Sequence, residues 1–573
     1  MSRSFASWVR PLLVFLISTL LVSCGGGEGK VVVPFPTRDS LRPLGSEFTN
    51  RKAVSYSPYR TATDVNGLSA EVIPESNIKQ DLDLLVAGGF GLIRLFDSTD
   101  KVAGQTLAVI RKHNMDIKVQ LGIYLQAGND AFSQAEVTRG IALAQQYKDI
   151  VLAVSVGNET QIYWSSTPIK ASVLAGALDT VRKQITQPIT TDDNWAYFAG
   201  NGADASVLGL LDFASIHTYP EIDTQFELWD WRLKGTPAAS RAAAMMDGAI
   251  ATAKAQYALA RSYLDSHNLS ALPITIGETG WNAVDNSGLL KYRASPVNQK
   301  MYYDRLRTWA AEGKTGAGPK AIIYFEAFDE PWKKSDNGWG LFNVNRQARY
   351  VIQGLNPPSA SWVYEAGTYT DVNAVYYAPP VVGPAVTESK YTLYSEASLT
   401  ASEKRETWFG TVRMDAFGPG TRYPEVSTAA APGDGINGIA IQPNPESFGW
   451  GLLIQSNPGG QSINLSSFAN GNINFSINTS YAGKMEIGLI TESDEFGTQE
   501  AFVQIPSGLY GYCNTAVWCQ VRVPVQALIA ANPKIDLRLV LSRFVIADRF
   551  AITKNTQKTG LPTVALDGIY WSK

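Results

Sequence analysis

Residues 273–281 read PITIGETGW, a short apolar run that stops at a glycine and then a glutamate, Glu278. Residues 151–159, VLAVSVGNE, end in the same way on Glu159. Short, continuous apolar runs of this kind are typical of buried parallel strands. The distance between them leaves room for two further strand-helix units, as a barrel of eight parallel strands requires. Both carboxylates are therefore expected at the C-terminal rim of such a barrel.

From Arg51 onward, apolar strands alternate with helical patterns eight times. The predicted strands lie at residues 52–59, 91–97, 117–125, 151–159, 188–193, 213–220, 273–278 and 321–330. This alternation predicts the α/β class and a closed (β/α)8 TIM barrel rather than an open doubly wound sheet. No GxGxxG or P-loop motif follows any of these strands.

Length and composition limit the function classes. At 573 residues the chain suits a barrel of about 300 residues plus a smaller domain. A net charge of −3 gives no electrostatic reason to expect nucleic acid as a partner. The 14 Trp, 25 Tyr and 22 Phe suit contact with sugar rings, although most are expected in cores. A barrel with a single site needs no partner chain, so a monomer is expected.

The first 24 residues predict export. Arg3 and Arg10 precede an apolar run, and the segment ends in Leu-Val-Ser-Cys24, which resembles a bacterial lipobox. Lipidation of Cys24 would anchor the mature chain in the cell envelope, and Gly25 resembles the sorting signal for an outer membrane, with a periplasmic or surface-exposed location. The alternative is a plain signal peptide with an incidental cysteine. Residues 25–50 are expected to form a flexible spacer.

The other two cysteines, Cys513 and Cys519, are close enough to form a disulfide across a small loop, consistent with an exported protein. No Cys/His cluster has metal-binding spacing, and the chain has only 3 His. We therefore expect no catalytic metal and no required cofactor.

Two acidic side chains that face each other across a cleft suit the cleavage of a glycosidic bond. One protonates the leaving oxygen, and the other attacks the anomeric carbon or activates water. Glu159 and Glu278 are the best candidates because each closes a strand after a glycine. A structural salt bridge remains the alternative for any single acid at the rim.

Several motifs together resemble glycoside hydrolase family 17, the β-1,3-glucanases and glucanosyltransferases of the retaining barrel clan. They are AVSYSPYR at 53–60, IRLFD at 93–97, VGNE at 156–159, GETGW at 277–281 and FEAFDEPWKKSDNGWGLF at 325–342. The resemblance covers roughly residues 50–355 and is specific only in combination.

The resemblance implies a role for each of four residues. Glu159 would be the acid/base and Glu278 the nucleophile, with Asn158 binding the sugar 2-hydroxyl and Tyr219 holding the nucleophile.

Glu330 and Lys333 match a Glu and a Lys that the family places beside the nucleophile, where a cation favours the ionised form. The alternative for this pair is a plain salt bridge at the rim. The other residues expected to bind substrate, mostly as aromatic walls, are Tyr56, Arg94, Phe96, Trp281, Phe325, Trp332 and Trp339. The segment ELWDWRLKG at 227–235 could add a wall or narrow the cleft.

The barrel is expected at 51–355, followed by a linker rich in Pro and Ser at 356–392. From 393 to 573, apolar and polar residues alternate with period two, which predicts a jelly-roll β-sandwich. It resembles carbohydrate-binding modules, with Trp408, Trp450, Trp518 and the disulfide loop as glycan contacts. The alternative is a structural appendage that binds nothing. A structural calcium is left open, since no acidic cluster is compact enough to name its ligands.

The leading hypothesis is a retaining endo-β-1,3-glucanase that acts on laminarin-like glucan. One alternative is a β-1,3-glucanosyltransferase, and a second is a glycan-binding lipoprotein without activity. The sequence does not separate endo, exo and transfer action.

Overall fold

The computed structural model describes residues 40–573 except 288–289, 317, 356–361, 397–402, 406–411, 418–429, 445–448, 458–459, 494–496 and 552–559. Cys24 with the predicted signal segment, and also Trp408, lie outside the described residues, so export and lipidation stay predictions. Among the helices that are described, none is long and apolar enough to cross a membrane. The chain divides into two compact units, with the boundary between Tyr377 and Ala378.

The first unit is a closed barrel of eight parallel strands, in which β8 pairs with β1. The strands are β1 Lys52–Ser55, β2 Phe90–Arg94, β3 Lys118–Ile123, β4 Val151–Asn158, β5 Ile189–Asn194, β6 Ala214–His217, β7 Ile274–Thr279 and β8 Ile322–Tyr324. Each falls on one of the eight predicted runs, which confirms the predicted fold class. The strands are shorter than several of the runs because the last residues of those runs already belong to the rim loops.

Helices follow the strands and cover the outside of the barrel. They are α1 Ser46–Thr49, α2 Gly67–Ala70, α3 Glu75–Ala87, α4 Gln105–Lys112, α5 Asp130–Gln146, α6 Ala171–Gln184, α7 Trp195–Phe198, α8 Ala205–Leu208, α9 Pro220–Asp223, α10 Ala238–Ser266, α11 Pro296–Thr315 and α12 Tyr350–Gln353. Local sequence explains where some begin: the Asn129 side chain caps α5 by accepting from Phe132 N, and Ser295 caps α11 just before Pro296.

Two apolar layers hold the barrel together. A large cluster fills the space between the strands and the outer helices. A smaller cluster includes Phe48, Ala53, Leu92, Phe213 and Ile323.

Some residues of the predicted spacer and of the predicted linker pack in this unit. Phe48, within the predicted spacer, is 1% exposed and contacts Phe213. Trp362 and Tyr377, within the predicted linker, belong to the large core cluster. The apolar surface that these side chains bury therefore extends the barrel unit beyond both predicted ends.

The second unit is a sandwich of two largely antiparallel sheets. Its strands are β9 Lys390–Tyr394, β10 Glu403–Arg405, β11 Val412–Phe417, β12 Ile439–Ile441, β13 Trp450–Ser456, β14 Asn472–Thr479, β15 Glu486–Ser493, β16 Gly497–Gln504, β17 Trp518–Pro524, β18 Val540–Asp548 and β19 Val564–Ser572. One sheet has the order β10-β9-β19-β14-β17, with β12 on β19, and the other has the order β11-β13-β18-β15-β16. This is the strand order of a jelly roll. Residues from both sheets meet in one apolar core, and Cys513 and Cys519 form a disulfide beside β17.

Close packing at the barrel mouth predicts that Gly122 of β3 does not tolerate a side chain. A Cβ added there would lie 2.3 Å from Leu95 O and 2.5 Å from the carbonyl carbon of Phe96, both backbone atoms that cannot move aside cheaply. Gly122→Ala should lower the free energy of unfolding of this unit by about 3 kcal/mol, as overpacking does. Denaturant unfolding of the full chain measures this change in the free energy of unfolding.

Gly176→Ala is the matched control. Gly176 lies within α6, and an added Cβ meets nothing within 4 Å, so this change should raise stability by up to about 1 kcal/mol. Equal effects of the two substitutions would contradict the packing argument.

Candidate active site

Glu278, the predicted nucleophile, is the most constrained carboxylate at the mouth. It lies within β7 and is 5% exposed. Arg94 Nη1 donates to its Oε1 at 2.5 Å, and the Tyr219 hydroxyl donates to its Oε2 at 2.6 Å. Burial alone would raise the pKa of Glu278, but the charges of His217 and Arg94 and these hydrogen bonds lower it to about 2. Glu278 is therefore ionised at any ordinary pH.

Arg94, at the end of β2, connects Glu278 to two other strands. Its Nε donates to Asp192 Oδ2 at 3.0 Å, and its Nη2 donates to Asn158 Oδ1 at 2.6 Å. Asp192 also accepts hydrogen bonds from Gln120 and Ser155. Arg94 is only 1% exposed, so its prediction as a substrate contact is wrong. Its guanidinium instead holds the side chains that surround the cleft.

The backbone turns sharply where β4 delivers Glu159. Gly157 has φ +79° and Glu159 has φ 49°, a left-handed conformation that non-glycine residues seldom adopt. Glu159 N donates to Asp192 O at 2.8 Å, and Ser165 Oγ donates to Glu159 O at 2.5 Å. These bonds hold the turn. The Glu159 side chain is 43% exposed, far more than that of Glu278.

His217 lies between the two glutamates, although the sequence predicts no role for it. Its Nδ1 is 2.9 Å from Glu159 Oε1 and 3.6 Å from Glu278 Oε2, and the ring is fully buried. Burial would lower the pKa of His217, but Glu278 and Glu159 together raise it. The signal in the sequence was the alternation His217-Thr-Tyr219 at the end of β6, because residues two apart lie on one face of a strand.

The three groups form a compact cluster. One carboxylate oxygen from each of Glu159 and Glu278 and a ring nitrogen of His217 all lie within 4.8 Å of one another. That spacing alone would admit a metal ion. However, both oxygens of Glu278 already accept hydrogen bonds, and the Arg94 guanidinium would repel a cation there. The donor set does not suit a resident metal.

Aromatic rings line the mouth beside Glu278. The Tyr219 ring lies edge-on to Phe325 at 6.0 Å and to Trp339 at 5.3 Å between centroids. Phe96, which is half-buried, lies edge-on to Phe325 at 6.4 Å, and the Arg94 guanidinium lies 4.7 Å from its centroid. The structure thus brings these predicted rings together next to Glu278, with Phe96 partly exposed and Trp339, only 2% exposed, packed behind Tyr219.

Two other predicted aromatics lie away from the cleft. Trp281 is fully buried, and its Nε1 donates to Arg293 O at 2.9 Å while its ring packs on Tyr302 of α11. Tyr56 is 1% exposed, and its hydroxyl donates to Asp81 at 3.2 Å. Both point into the core between the barrel and its helices, so their prediction as sugar contacts is wrong.

Glu330, Trp332 and Lys333 form a buried group near the end of β8. Trp332 Nε1 donates to Glu330 Oε1 at 2.9 Å, and Lys333 Nζ lies 2.7 Å from Glu330 Oε2. Lys333 also donates to Glu326. Among the described residues, the ion-pair partners of Glu278 are Arg94 and His217, whereas Lys333 pairs with Glu326 and Glu330.

The 227–235 segment is anchored by its tryptophans. Trp229 Nε1 donates to Pro220 O at 2.8 Å, and Trp231 is 7% exposed, with its ring edge-on to Tyr377. Both rings therefore fix the loop on the barrel unit.

Two glutamates that face each other at the mouth of a closed barrel are the arrangement that a glycoside hydrolase uses, since cleaving a glycosidic bond needs a carboxyl group on each side of it. Sequence comparison agrees with this class. Residues 53–344, about half of the chain, match the family described as the BtgE/BtgC glycoside hydrolase domain, and the chain belongs to that family.

A curated relative, glucan 1,3-beta-glucosidase of Arthroderma benhamiae, is 23% identical over 291 residues, which covers 48% of this chain and 84% of the relative. Among solved structures, the endo-laminarinase of Formosa Hel1_33_131 is 25% identical with a TM-score of 0.48, covering 54% of this chain and 86% of that one. The β-1,3-glucanosyltransferase of Rhizomucor miehei is 18% identical with a TM-score of 0.38, covering 52% of this chain and 94% of that one.

Tyr219→Phe tests the environment of Glu278. Loss of the hydroxyl removes a donor that favours the ionised carboxylate, so the pKa of Glu278 should rise and the acid limb of kcat/KM should move to higher pH. We expect kcat to fall about tenfold, in line with one charge-assisted hydrogen bond. The pH-rate profile measures both effects.

Tyr303→Phe is the control, because the Tyr303 hydroxyl is buried with no hydrogen-bond partner among the described residues. An unchanged acid limb in Tyr219→Phe would show that Tyr219 does not influence Glu278.

Proposed function

We propose that the chain is a retaining endo-β-1,3-glucanase that cleaves β-1,3-glucan by double displacement. The observation that carries the proposal is the closeness of Glu159 and Glu278, in which one carboxylate oxygen of each lies within 4.8 Å of one oxygen of the other. Retaining enzymes hold the two carboxyl groups about 5–5.5 Å apart, whereas inverting enzymes need about 6.5–9.5 Å to admit a water between them. The observed spacing favours direct attack by one carboxylate.

In the first step Glu278 attacks the anomeric carbon. Its low pKa supplies the ionised oxygen that the attack needs, and Arg94 and Tyr219 hold that carboxylate in place. Glu159 gives its proton to the leaving glycosidic oxygen, so the bond to the leaving sugar breaks as the bond to Glu278 forms.

In the second step the charged Glu159 takes a proton from water, and the hydroxide so formed displaces Glu278. His217, 2.9 Å from Glu159, supports that negative charge between the two steps. Two inversions give a product with the original β configuration.

Two observations support a glucan substrate. The curated relative that the chain matches is named as a glucan 1,3-beta-glucosidase. Asn158 Oδ1 accepts from Arg94, which leaves its Nδ2 group to donate to a sugar hydroxyl at the cleft.

Glu278→Ala should lower kcat on laminarin by at least about a thousandfold, because the change removes the group that forms the covalent intermediate. Added azide should restore turnover and give a glycosyl azide of inverted configuration. NMR of the first product of the wild-type chain should show the β anomer.

Glu136→Gln is the control for change of another buried carboxylate, since the side-chain partners of Glu136 are Ser98, Arg139 and the Tyr124 amide rather than Glu278. Wild-type turnover in Glu278→Ala, or an α first product, would refute the retaining mechanism. If mass spectrometry shows products longer than the substrate, the activity is glucanosyl transfer rather than hydrolysis.

For the second unit we propose glycan binding at Trp518. A groove of about 600 Å³ is lined by this half-buried tryptophan and by the polar residues Asn478, Ser480 and Thr563. An aromatic face beside hydroxyl and amide groups suits a sugar ring. Trp450, the other predicted contact that the structure describes, is fully buried and donates to Tyr481, so that prediction is wrong.

Trp518→Ala, made in a full chain that also carries Glu278→Gln to stop turnover, should weaken retention on insoluble β-1,3-glucan about tenfold, the loss of one stacking contact. Ile436→Ala is the control, because Ile436 is 73% exposed and does not line the groove. Equal retention of the two variants would favour a structural appendage.

A further inference from the structure

Asp193 is a buried acid of β5 that the reaction scheme does not use. It is 0% exposed and is the second-last residue of the strand. Its Oδ2 accepts a hydrogen bond from Gln161 N at 2.7 Å, and its Oδ1 accepts one from Asn194 N at 2.8 Å. Because a buried carboxyl group is costly to keep, one that serves two backbone amides indicates that those amides need to be held.

Gln161 belongs to the turn that carries Glu159. Strand β4 ends at Asn158, and Glu159 then adopts a left-handed conformation with φ 49°. A non-glycine residue keeps such a conformation only where its surroundings hold it. Strand β5 holds both ends of this turn, because Asp192 O accepts from Glu159 N at 2.8 Å while Asp193 accepts from Gln161 N.

Only one of these two bonds depends on the residue type in β5. The bond from Glu159 N to Asp192 O joins two backbone groups and continues the pairing of β4 with β5, so any residue at position 192 would accept it. The bond from Gln161 N needs a side-chain acceptor, which the carboxyl group of Asp193 supplies. A hydrocarbon side chain at position 193 would leave the Gln161 amide without this acceptor.

The exposure of Glu159 makes the turn important for catalysis. The Glu159 side chain is 43% exposed, so its direction depends largely on the backbone that carries it, and a shift of the turn shifts the carboxyl group. Asp193 lies within electrostatic reach of this group. Burial raises the pKa of Asp193 to about 7 against the hydrogen bond from Gln161, and the charge of Glu159 adds to the rise.

We propose that Asp193 is a positioning residue for the acid/base: by accepting from Gln161 N, it fixes the turn that holds the Glu159 carboxyl group at the glycosidic oxygen. The inference rests on the proposed function, in which Glu159 protonates the leaving group and then activates water. Asp193 acts through Glu159 and takes no part in making or breaking bonds. Its loss should therefore impair the steps that need proton transfer and spare those that do not.

The test compares two aryl β-laminaribiosides that differ in their leaving group. Phenolate needs a proton as it leaves, whereas 2,4-dinitrophenolate is a weak base and leaves without one, and kcat/KM reports this first step. In Asp193→Ala we expect kcat/KM to fall about tenfold on the phenyl glycoside and to stay within about twofold of wild type on the dinitrophenyl glycoside.

Two measures keep the test independent of folding. The burst of dinitrophenolate from the 2-fluoro analogue of the same glycoside counts the folded sites, so the rates are expressed per active site. Asp193→Asn keeps one oxygen acceptor, so its loss should show the same selectivity for the phenyl glycoside and be smaller.

A second measurement follows the water step. On the dinitrophenyl glycoside, kcat is limited by hydrolysis of the glycosyl-enzyme, which needs Glu159 as the base. We expect kcat of Asp193→Ala on this substrate to fall about tenfold. Azide attacks the anomeric carbon without a base and releases the Glu278 carboxylate, so it should restore kcat to within about twofold and leave wild type unchanged.

Asp212→Ala is the matched control. Asp212 is also 0% exposed, and its Oδ2 accepts from Ile189 N at 3.0 Å, at the first residue of β5 and therefore at the opposite end of the strand from Asp193. Loss of this carboxyl group should lower the stability of the barrel but leave the ratio of the two kcat/KM values at that of wild type.

Three results would overturn the proposal: equal losses on the two glycosides in Asp193→Ala, unchanged kcat/KM on both, or the same altered ratio in Asp212→Ala. Glu159→Ala, measured beside them, separates this failure from failure of the proposed function. If Glu159→Ala loses equally on both glycosides, Glu159 is not the acid and the proposed function fails as well. If Glu159→Ala is selective for the phenyl glycoside and Asp193→Ala is not, only the role of Asp193 fails.

Discussion

The buried guanidinium of Arg94 organises the mouth of the barrel. It donates to Glu278, Asp192 and Asn158, which come from three further strands, while almost none of its surface meets solvent. A buried cation is tolerated only when its donors are satisfied by charge and geometry. The buried carboxylates of Glu278 and Asp192 are in turn stabilised by the charge of Arg94. This mutual requirement ties the ends of β2, β4, β5 and β7 into one rigid site.

The two glutamates differ because their surroundings differ. Glu278 is almost enclosed and has two strong donors, so its ionised form is favoured. Glu159 is 43% exposed and contacts His217, which leaves it open to the leaving sugar and to water. Two carboxyl groups of the same chemistry thereby become suited to attack and to proton transfer.

Much of the fold could be predicted, because each strand is a continuous apolar run that needs no distant residue to be recognised. The two glutamates could be predicted for a related reason: the parallel topology brings the C-terminal ends of all strands to one rim. The direction in which aromatic side chains point was harder to predict. Trp281 and Tyr56 stand at strand ends just as Phe325 does, but their rings turn outward against helices, and no local pattern records that direction.

The sequence also did not show which hydrogen-bond and ion-pair partners meet across the barrel. Arg94 and His217 acquire their contacts from distant residues, as far as 184 positions away in the Arg94–Glu278 bond. By itself, the sequence determined the eight strands, the second all-β unit and the position of the two acids, since these depend on local polarity and order along the chain. Only the tertiary structure decided which charges meet, which rings face the cleft and how far apart the acids lie. Those quantities depend on barrel closure, which sets distances between strands that no single segment encodes.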